Sequence, residues 1–216
     1  MHVIASFCLN LSFFLYLLYY LPQLMKNAHS TGLRDFSLGF HCLAITAATA
    51  DLCYAFLLIH QWQYRVVSIV YFSYLLFQHG QLYRVCSTRS ERYLLHLCTA
   101  MIPLCLWCLD LTHCHPAYAL VIAAGLGWVE RCASMLAKLP QLLKNRRLRS
   151  SRAISRLYLY LNLIVTLCDI VSAWYFHWGP SSRYGSPVSL CFTLLLLYQS
   201  YAYQYPQRQR WGRTYA

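Results

Sequence analysis

Charged side chains are scarce in this chain: Asp, Glu, Lys and Arg make up 11% of its 216 residues, against 59% that are hydrophobic. So little charge excludes a single compact soluble core, because a soluble domain carries charge on about a quarter of its residues. So much apolar material excludes a disordered chain. No nucleophile elbow, phosphate-binding glycine loop or HExxH run occurs, so nothing in the sequence asks for an enzyme or a cofactor. The N-terminus has no basic start followed by a small-residue cleavage site, so the first apolar segment is expected to stay in the mature protein. No nucleic-acid-binding motif accompanies the formal charge of +12, and nucleic acid is not expected as a partner.

What the chain does have is apolar length. A helix needs roughly 20 residues to cross a hydrocarbon core, and runs of that order stand at about 3–25, 36–59, 65–85, 93–110, 117–143, 154–176 and 186–205. Seven crossings in the lipid bilayer are therefore expected. The nineteen tyrosines suit helix ends at the membrane interface, where an amphipathic ring meets both phases. An odd number of crossings sorts the loops into two sets. One set holds Lys26, Arg34, Arg84, Arg89, Arg92, Lys144, Arg146, Arg147, Arg149, Arg152, Arg156, Arg208, Arg210 and Arg213; the other holds Arg65 and Arg183. Basic loops are retained in the cytoplasm, so the N-terminus is expected in a lumen or outside and the C-terminus in the cytoplasm. The same bias places the net charge beside anionic headgroups.

The chain also resembles itself. A shift of 118 residues lays Leu21-Pro22-Gln23-Leu24-Met25-Lys26-Asn27 on Leu139-Pro140-Gln141-Leu142-Leu143-Lys144-Asn145, identical at six of seven positions. Continued without a gap over 21–57 and 139–175, the match pairs Arg34 with Arg152, Ser37 with Ser155 and Asp51 with Asp169, for eleven identities in all. The expected fold is an all-α membrane protein of two parallel three-helix repeats joined by a linking helix, a 3+1+3 arrangement. The expected divisions are 1–90 for the first repeat, 91–112 for the linking helix, 113–207 for the second repeat and 208–216 for a basic cytoplasmic tail.

The Pro22-Gln23 and Pro140-Gln141 pairs, each ending the first helix of a repeat and followed by a basic loop, resemble the PQ-loop repeat family, to which SWEET sugar transporters are distantly similar. The segment Leu33-Arg34-Asp35-Phe36-Ser37-Leu38-Gly39-Phe40 is similar to the family's stretch opening the second helix. The resemblance implies a transporter of a small polar solute, an amino acid first, that works by alternating access with protons as a candidate coupling ion. A receptor or helper protein that recognises a ligand without moving it is the alternative. The membrane implied is lysosomal or vacuolar in a eukaryote and the inner membrane in a bacterium. Ala48 and Thr166 stand where the family's exporters carry an acidic residue, and Asn162 stands where its cystine exporter has a coupling aspartate, which argues against cystine as the solute.

Proline inside a helix lacks an amide donor and clashes with the carbonyl four residues earlier, here Leu18 and Leu136. Pro22, Gln23, Pro140 and Gln141 are therefore hinge candidates, with each glutamine amide expected to bond a freed backbone group. Asp51 and Asp169 lie deep in their segments, where an ionised carboxylate is costly without a partner. Burial disfavours the charged form of a carboxyl group, which makes both candidates to take and release protons. Glu130, Arg131 and Lys138 align with Ser12, Phe13 and Tyr20, so the polar content of the fifth segment is not repeated in the first. Arg131 and Lys138 share a helix face, whereas neighbouring Glu130 and Arg131 are expected to point apart. Lys138 has three readings: it holds a solute carboxylate, it pairs with Asp169, or it snorkels to the interface. With Asn162 these residues form the candidate solute or proton site.

Most of the eleven cysteines fall inside apolar segments and read as small buried hydrophobes. Cys105 and Cys108, followed by His113-Cys114-His115, have metal-ligand types, but no second cysteine pair completes a zinc pattern, and no metal is expected. One topological test follows. Single cysteines introduced as Ser30→Cys and Ser150→Cys, in the loops after the two Pro-Gln pairs, are labelled by an impermeant maleimide from the same side of the membrane.

Overall fold

The computed structural model describes residues 2–28, 33–57, 62–86, 88–100, 102–104, 106–107, 110 and 116–203. All regular structure among them is helical: α1 (His2–Leu18), α2 (Leu21–Ala28), α3 (Leu38–Leu57), α4 (Trp62–Val85), α5 (Arg89–Thr99), α6 (Ala119–Leu148), α7 (Arg156–Tyr175) and α8 (Pro180–Ala202). Short 3₁₀ turns at Leu33–Asp35 and Pro116–Tyr118 lead into α3 and α6. The continuous span formed by α1 and α2, together with α3, α6 and α7, is long and apolar enough to cross a membrane. α4 and α8 have the length but are less apolar, because they turn polar side chains inward. Ser68 and Gln78 of α4, and Ser186, Thr193 and Ser200 of α8, are buried. Large apolar side chains such as Phe7, Phe14, Leu120, Val121 and Leu167 are exposed instead, as suits a surface that meets lipid.

The expected crossing at 93–110 lies partly outside the described residues. Its first described helix, α5, starts earlier, at Arg89, because Thr88 and Glu91 form a reciprocal capping box that satisfies the first amides of a helix. It stops at Thr99. A turn at Ala100 follows, and residues 102–104, 106–107 and 110 are helical again.

Helix packing repeats the internal sequence match. Among the described helices α3 packs most extensively on α6, and α1 packs on α7; α4 lies on α3, and α8 on α7 and α6. The 118-residue shift carries α1 onto α6 and α3 onto α7. The contacts α1 with α7 and α6 with α3 are therefore one contact made twice, first helix of one half against second helix of the other.

Buried hydrogen bonds hold that exchange in register. The Gln23 side chain is 2% exposed; its Oε1 accepts from the Ser155 amide at 2.8 Å and its Nε2 donates to the Ala153 carbonyl at 2.8 Å. Gln141 does the same in reverse, with Oε1 accepting from the Ser37 amide at 2.7 Å and Nε2 donating to the Asp35 carbonyl at 3.4 Å. Asn27 and Asn145 accept the second hydrogen of each glutamine at 2.8 and 2.7 Å. Lys26 donates to the Ile154 carbonyl at 2.7 Å, and Lys144 to the Phe36 carbonyl at 2.9 Å. Gln81 and Gln199, also 118 apart, donate to the Leu24 and Leu142 carbonyls, both at 3.2 Å. Each Pro-Gln segment thus secures the start of the other half's second helix, where orphan amides need acceptors.

Two expectations are corrected here. The glutamines do not fill gaps left by their own prolines; they bond across to the other half, because the chain leading into α3 or α7 presents both a donor and an acceptor at their reach. At the first break it is Tyr74 that serves the local backbone, donating to the Leu17 carbonyl at 2.7 Å. The two proline sites also differ. The first splits its span at Tyr19 and Tyr20 into α1 and α2, whereas α6 runs unbroken through Pro140 to Leu148.

Gln23→Leu leaves the half-buried Ser155 amide and the carbonyl of buried Ala153 without the glutamine's bonds, at up to about 1–3 kcal/mol for each unsatisfied group. Gln141→Leu should lower the thermal unfolding midpoint in detergent by a similar amount, as expected of two copies of one clamp.

Candidate functional site

Between the paired helices lies a cavity of about 170 Å³. It is lined by Ser12 and Tyr16 from α1, Tyr19 from the break after it, Phe40 and Asp51 from α3, and Tyr64 and Tyr71 from α4. Glu130, Arg131 and Lys138 of α6 face it, as do Tyr158, Asn162 and Asp169 of α7 and Ser182 and Ser189 of α8. The six polar residues singled out in the sequence all face this space. The hinge candidates Pro22, Gln23, Pro140 and Gln141 are not among its lining residues. Tyr19, a turn before Pro22, stacks on Tyr158 with ring centroids 5.5 Å apart and lines the cavity near that pair.

The two aspartates have acquired different attachments. Asp169 of α7 accepts from Ser12 Oγ at 2.5 Å and from the Tyr16 hydroxyl at 2.7 Å. Ser12 and Tyr16 are four residues apart, hence on one face of α1. Asp51 of α3 accepts from the Tyr64 hydroxyl and from Ser68 Oγ, the latter at 2.6 Å, again a pair four residues apart, now on α4. The chemistry is the same, two hydroxyl donors on one carboxylate, but Asp51 binds its own half whereas Asp169 binds the other. These hydroxyl pairs were not foreseen. Their signal was present, since a serine and a tyrosine one turn apart inside an apolar helix offer two donors toward one acceptor.

Lys138 neither snorkels nor pairs with Asp169. It is 8% exposed, and its ammonium donates to the Ser189 carbonyl at 3.1 Å, Ser189 Oγ at 2.6 Å and Thr193 Oγ1 at 2.8 Å. α8 presents those acceptors one turn apart, so all three N–H donors are used on a single helix. Thr193 Oγ1 in turn donates to Asn162 Oδ1 at 2.9 Å. The first half has Tyr20 at the place of Lys138, among Tyr71, Tyr74 and Tyr158, so an aromatic nest there corresponds to a polar one here.

Glu130 and Arg131 do meet, contrary to expectation: Arg131 Nε lies 3.3 Å from Glu130 Oε2, with side chains 17% and 15% exposed. Adjacent helical residues project about 100° apart, and the contact exists because the arginine arm bends over Gly185 of α8. A Cβ at Gly185 would lie 2.0 Å from Arg131 Cδ. The guanidinium also donates from Nη2 to Ser182 Oγ at 3.2 Å. Cys105, Cys108, His113, Cys114 and His115 lie outside the described residues.

A family model described as PQ loop repeat matches the chain twice, over residues 4–64 and 122–182. The two matches are offset by the same 118 residues as the internal repeat. No curated protein matches the chain.

Tyr16→Phe removes one hydrogen bond to a buried carboxylate, with an expected cost of about 1.5–3 kcal/mol. In a double-mutant cycle of detergent unfolding, Tyr16→Phe with Asp169→Asn should cost less than the sum of the single changes.

Proposed function

Since the chain belongs to the PQ-loop repeat family, whose members are membrane transporters or related membrane proteins, we propose that it carries a small polar solute across the bilayer by alternating access. The observation that carries this reading is the cavity of about 170 Å³ bounded by helices of both halves. In a parallel-repeat carrier the solute path runs between the repeats and each repeat moves as a unit. The proposed units are the two three-helix repeats at 1–90 and 113–207, with 91–112 as the linking helix and the basic residues beyond 207 in the cytoplasm.

The solute class follows from size and charge. A cavity of roughly 150 Å³ holds a benzene-sized molecule, so this one suits a solute of similarly few heavy atoms rather than a disaccharide or a dipeptide. Its walls carry both signs, with Asp51, Glu130 and Asp169 facing Arg131 and Lys138. Charge of both signs around one small volume complements a zwitterion, and a free amino acid is the proposed solute. The three carboxyl groups are the candidates for proton coupling. Pro22 and Pro140 are the proposed hinges, and the glutamine clamps keep the moving helix ends in register.

The basic loops support a cytoplasmic C-terminus and a lumenal or external N-terminus. Counterflow in proteoliposomes preloaded with each standard amino acid tests the reading. Labelled amino acid should accumulate in vesicles containing the protein and not in empty ones, and an imposed pH gradient should change the initial rate. Binding without accumulation for every amino acid would instead identify a receptor.

A further inference from the structure

We propose that Arg131 is the group that takes the solute's carboxylate, that Glu130 is the internal partner the solute displaces, and that Gly185 is the positioning residue that makes room for the guanidinium. This rests on the transport reading above and assigns the polarity of the solute within the cavity.

The charged groups of the cavity are not equally engaged. Asp169 and Asp51 each accept two hydroxyl hydrogens, and Lys138 spends its three donors on acceptors of α8. Arg131 is different. Its Nε is buried and has no hydrogen-bond partner, although a Glu130 oxygen stands 3.3 Å away. A guanidinium bound fork to fork by a carboxylate makes two aligned bonds of about 2.7–2.9 Å. Glu130 does not supply that geometry: its Oε2 stands 3.3 Å from Nε, and Nη2 of the same edge is used on Ser182. A carboxylate on a free solute is not tied to the helix and can meet the fork squarely. The ion pair is therefore a weaker internal substitute for the contact that the solute makes.

Gly185 gives independent support. The arm of Arg131 lies where a side chain at that position would stand, with Cγ 2.3 Å and Cδ 2.0 Å from an added Cβ. In the first half the corresponding positions are Phe13 and Val67. The second half thus has an arginine and a glycine where the first half has a phenylalanine and a valine. This difference places one guanidinium in the cavity, on one side only.

Displacement of Glu130 has a consequence for charge. Asp51 and Tyr54 on α3, Tyr64 and Tyr71 on α4, Tyr16 on α1 and Asp169 on α7 surround the pair, and Lys138 lies seven residues along the same helix. All of these except Lys138 are acids, and Lys138 is held by α8. A solute carboxylate seated on the guanidinium brings a further negative charge into this acidic cluster, and a proton entering with it leaves the charge of the cluster unchanged. Solute binding at Arg131 is thus accompanied by transfer of one proton from the aqueous side to the Glu130 carboxyl group.

The full chain in proteoliposomes, assayed by counterflow with each standard amino acid as the free acid and as its C-terminal amide, provides the test. Wild-type protein should move free amino acids and reject the amides. Arg131→Lys removes the fork but keeps the charge, and should weaken the half-saturating concentration for the free acid by about tenfold or more. Gly185→Ala, which alters no charge, should give the same loss. Gly125→Ala on α6, where an added Cβ meets nothing within 4 Å, should give none. Glu130→Gln should move free amino acids with a half-saturating concentration no longer dependent on pH. An acid-to-amide preference unchanged in both Arg131→Lys and Gly185→Ala overturns the carboxylate assignment, and pH dependence that persists in Glu130→Gln overturns the proton step. Wild-type vesicles that move no amino acid at all refute the transport reading itself, a result distinct from either.

Discussion

The bundle depends on a buried side-chain amide at each proline site. A primary amide carries a donor and an acceptor on one rigid plane, and Gln23 and Gln141 each use both on the backbone entering the other half's second helix. That backbone cannot satisfy itself, because the first amides of a helix have no partner within it. In a bilayer the penalty for leaving them bare is higher than in water. The pairing of first helix with opposite second helix is therefore specified by directional bonds, where apolar packing alone would specify little, since lipid tails are as apolar as leucine.

On this symmetric frame the cavity has become asymmetric. Positions that match under the 118-residue shift hold Ser12 and Glu130, Phe13 and Arg131, and Tyr20 and Lys138. The first half contributes rings and hydroxyls, and the second contributes the charges. The duplicated aspartates show the same divergence without any change of residue, because their donors moved: Asp51 is held within its half by α4, and Asp169 is held across the halves by α1. A carboxylate bonded across the halves reports on their relative position, and one bonded within a half does not.

Much of this was legible in the sequence, and what was hidden has physical reasons. The helices, the duplication and the six polar residues facing the cavity could be read because intramembrane charge is costly and therefore informative. Repetition of Pro-Gln marked the paired sites. The direction of the glutamine bonds could not be read, since a local gap and a distant helix start offer an amide the same chemistry. Gln81 and Gln199 escaped notice because they lie beyond the stretch over which identities are dense. The meeting of Glu130 with Arg131 contradicted helical spacing, and only the close approach of Gly185 from another helix explains it. α5 began early for a local reason, the Thr88 cap.

The unequal fate of the two prolines bears on how the molecule can deform. α6 remains one helix of thirty residues, with the hydrogen bond of a Pro140 amide missing from its ladder, whereas the first span is split at Tyr19 and Tyr20. A helix that lacks one bond of its ladder resists flexure more than a span split into two helices, which concentrates it at the split. Torque applied along the two leading helices is then relieved more at the first joint than at Pro140, so the first half is the softer elbow and the second the stiffer one.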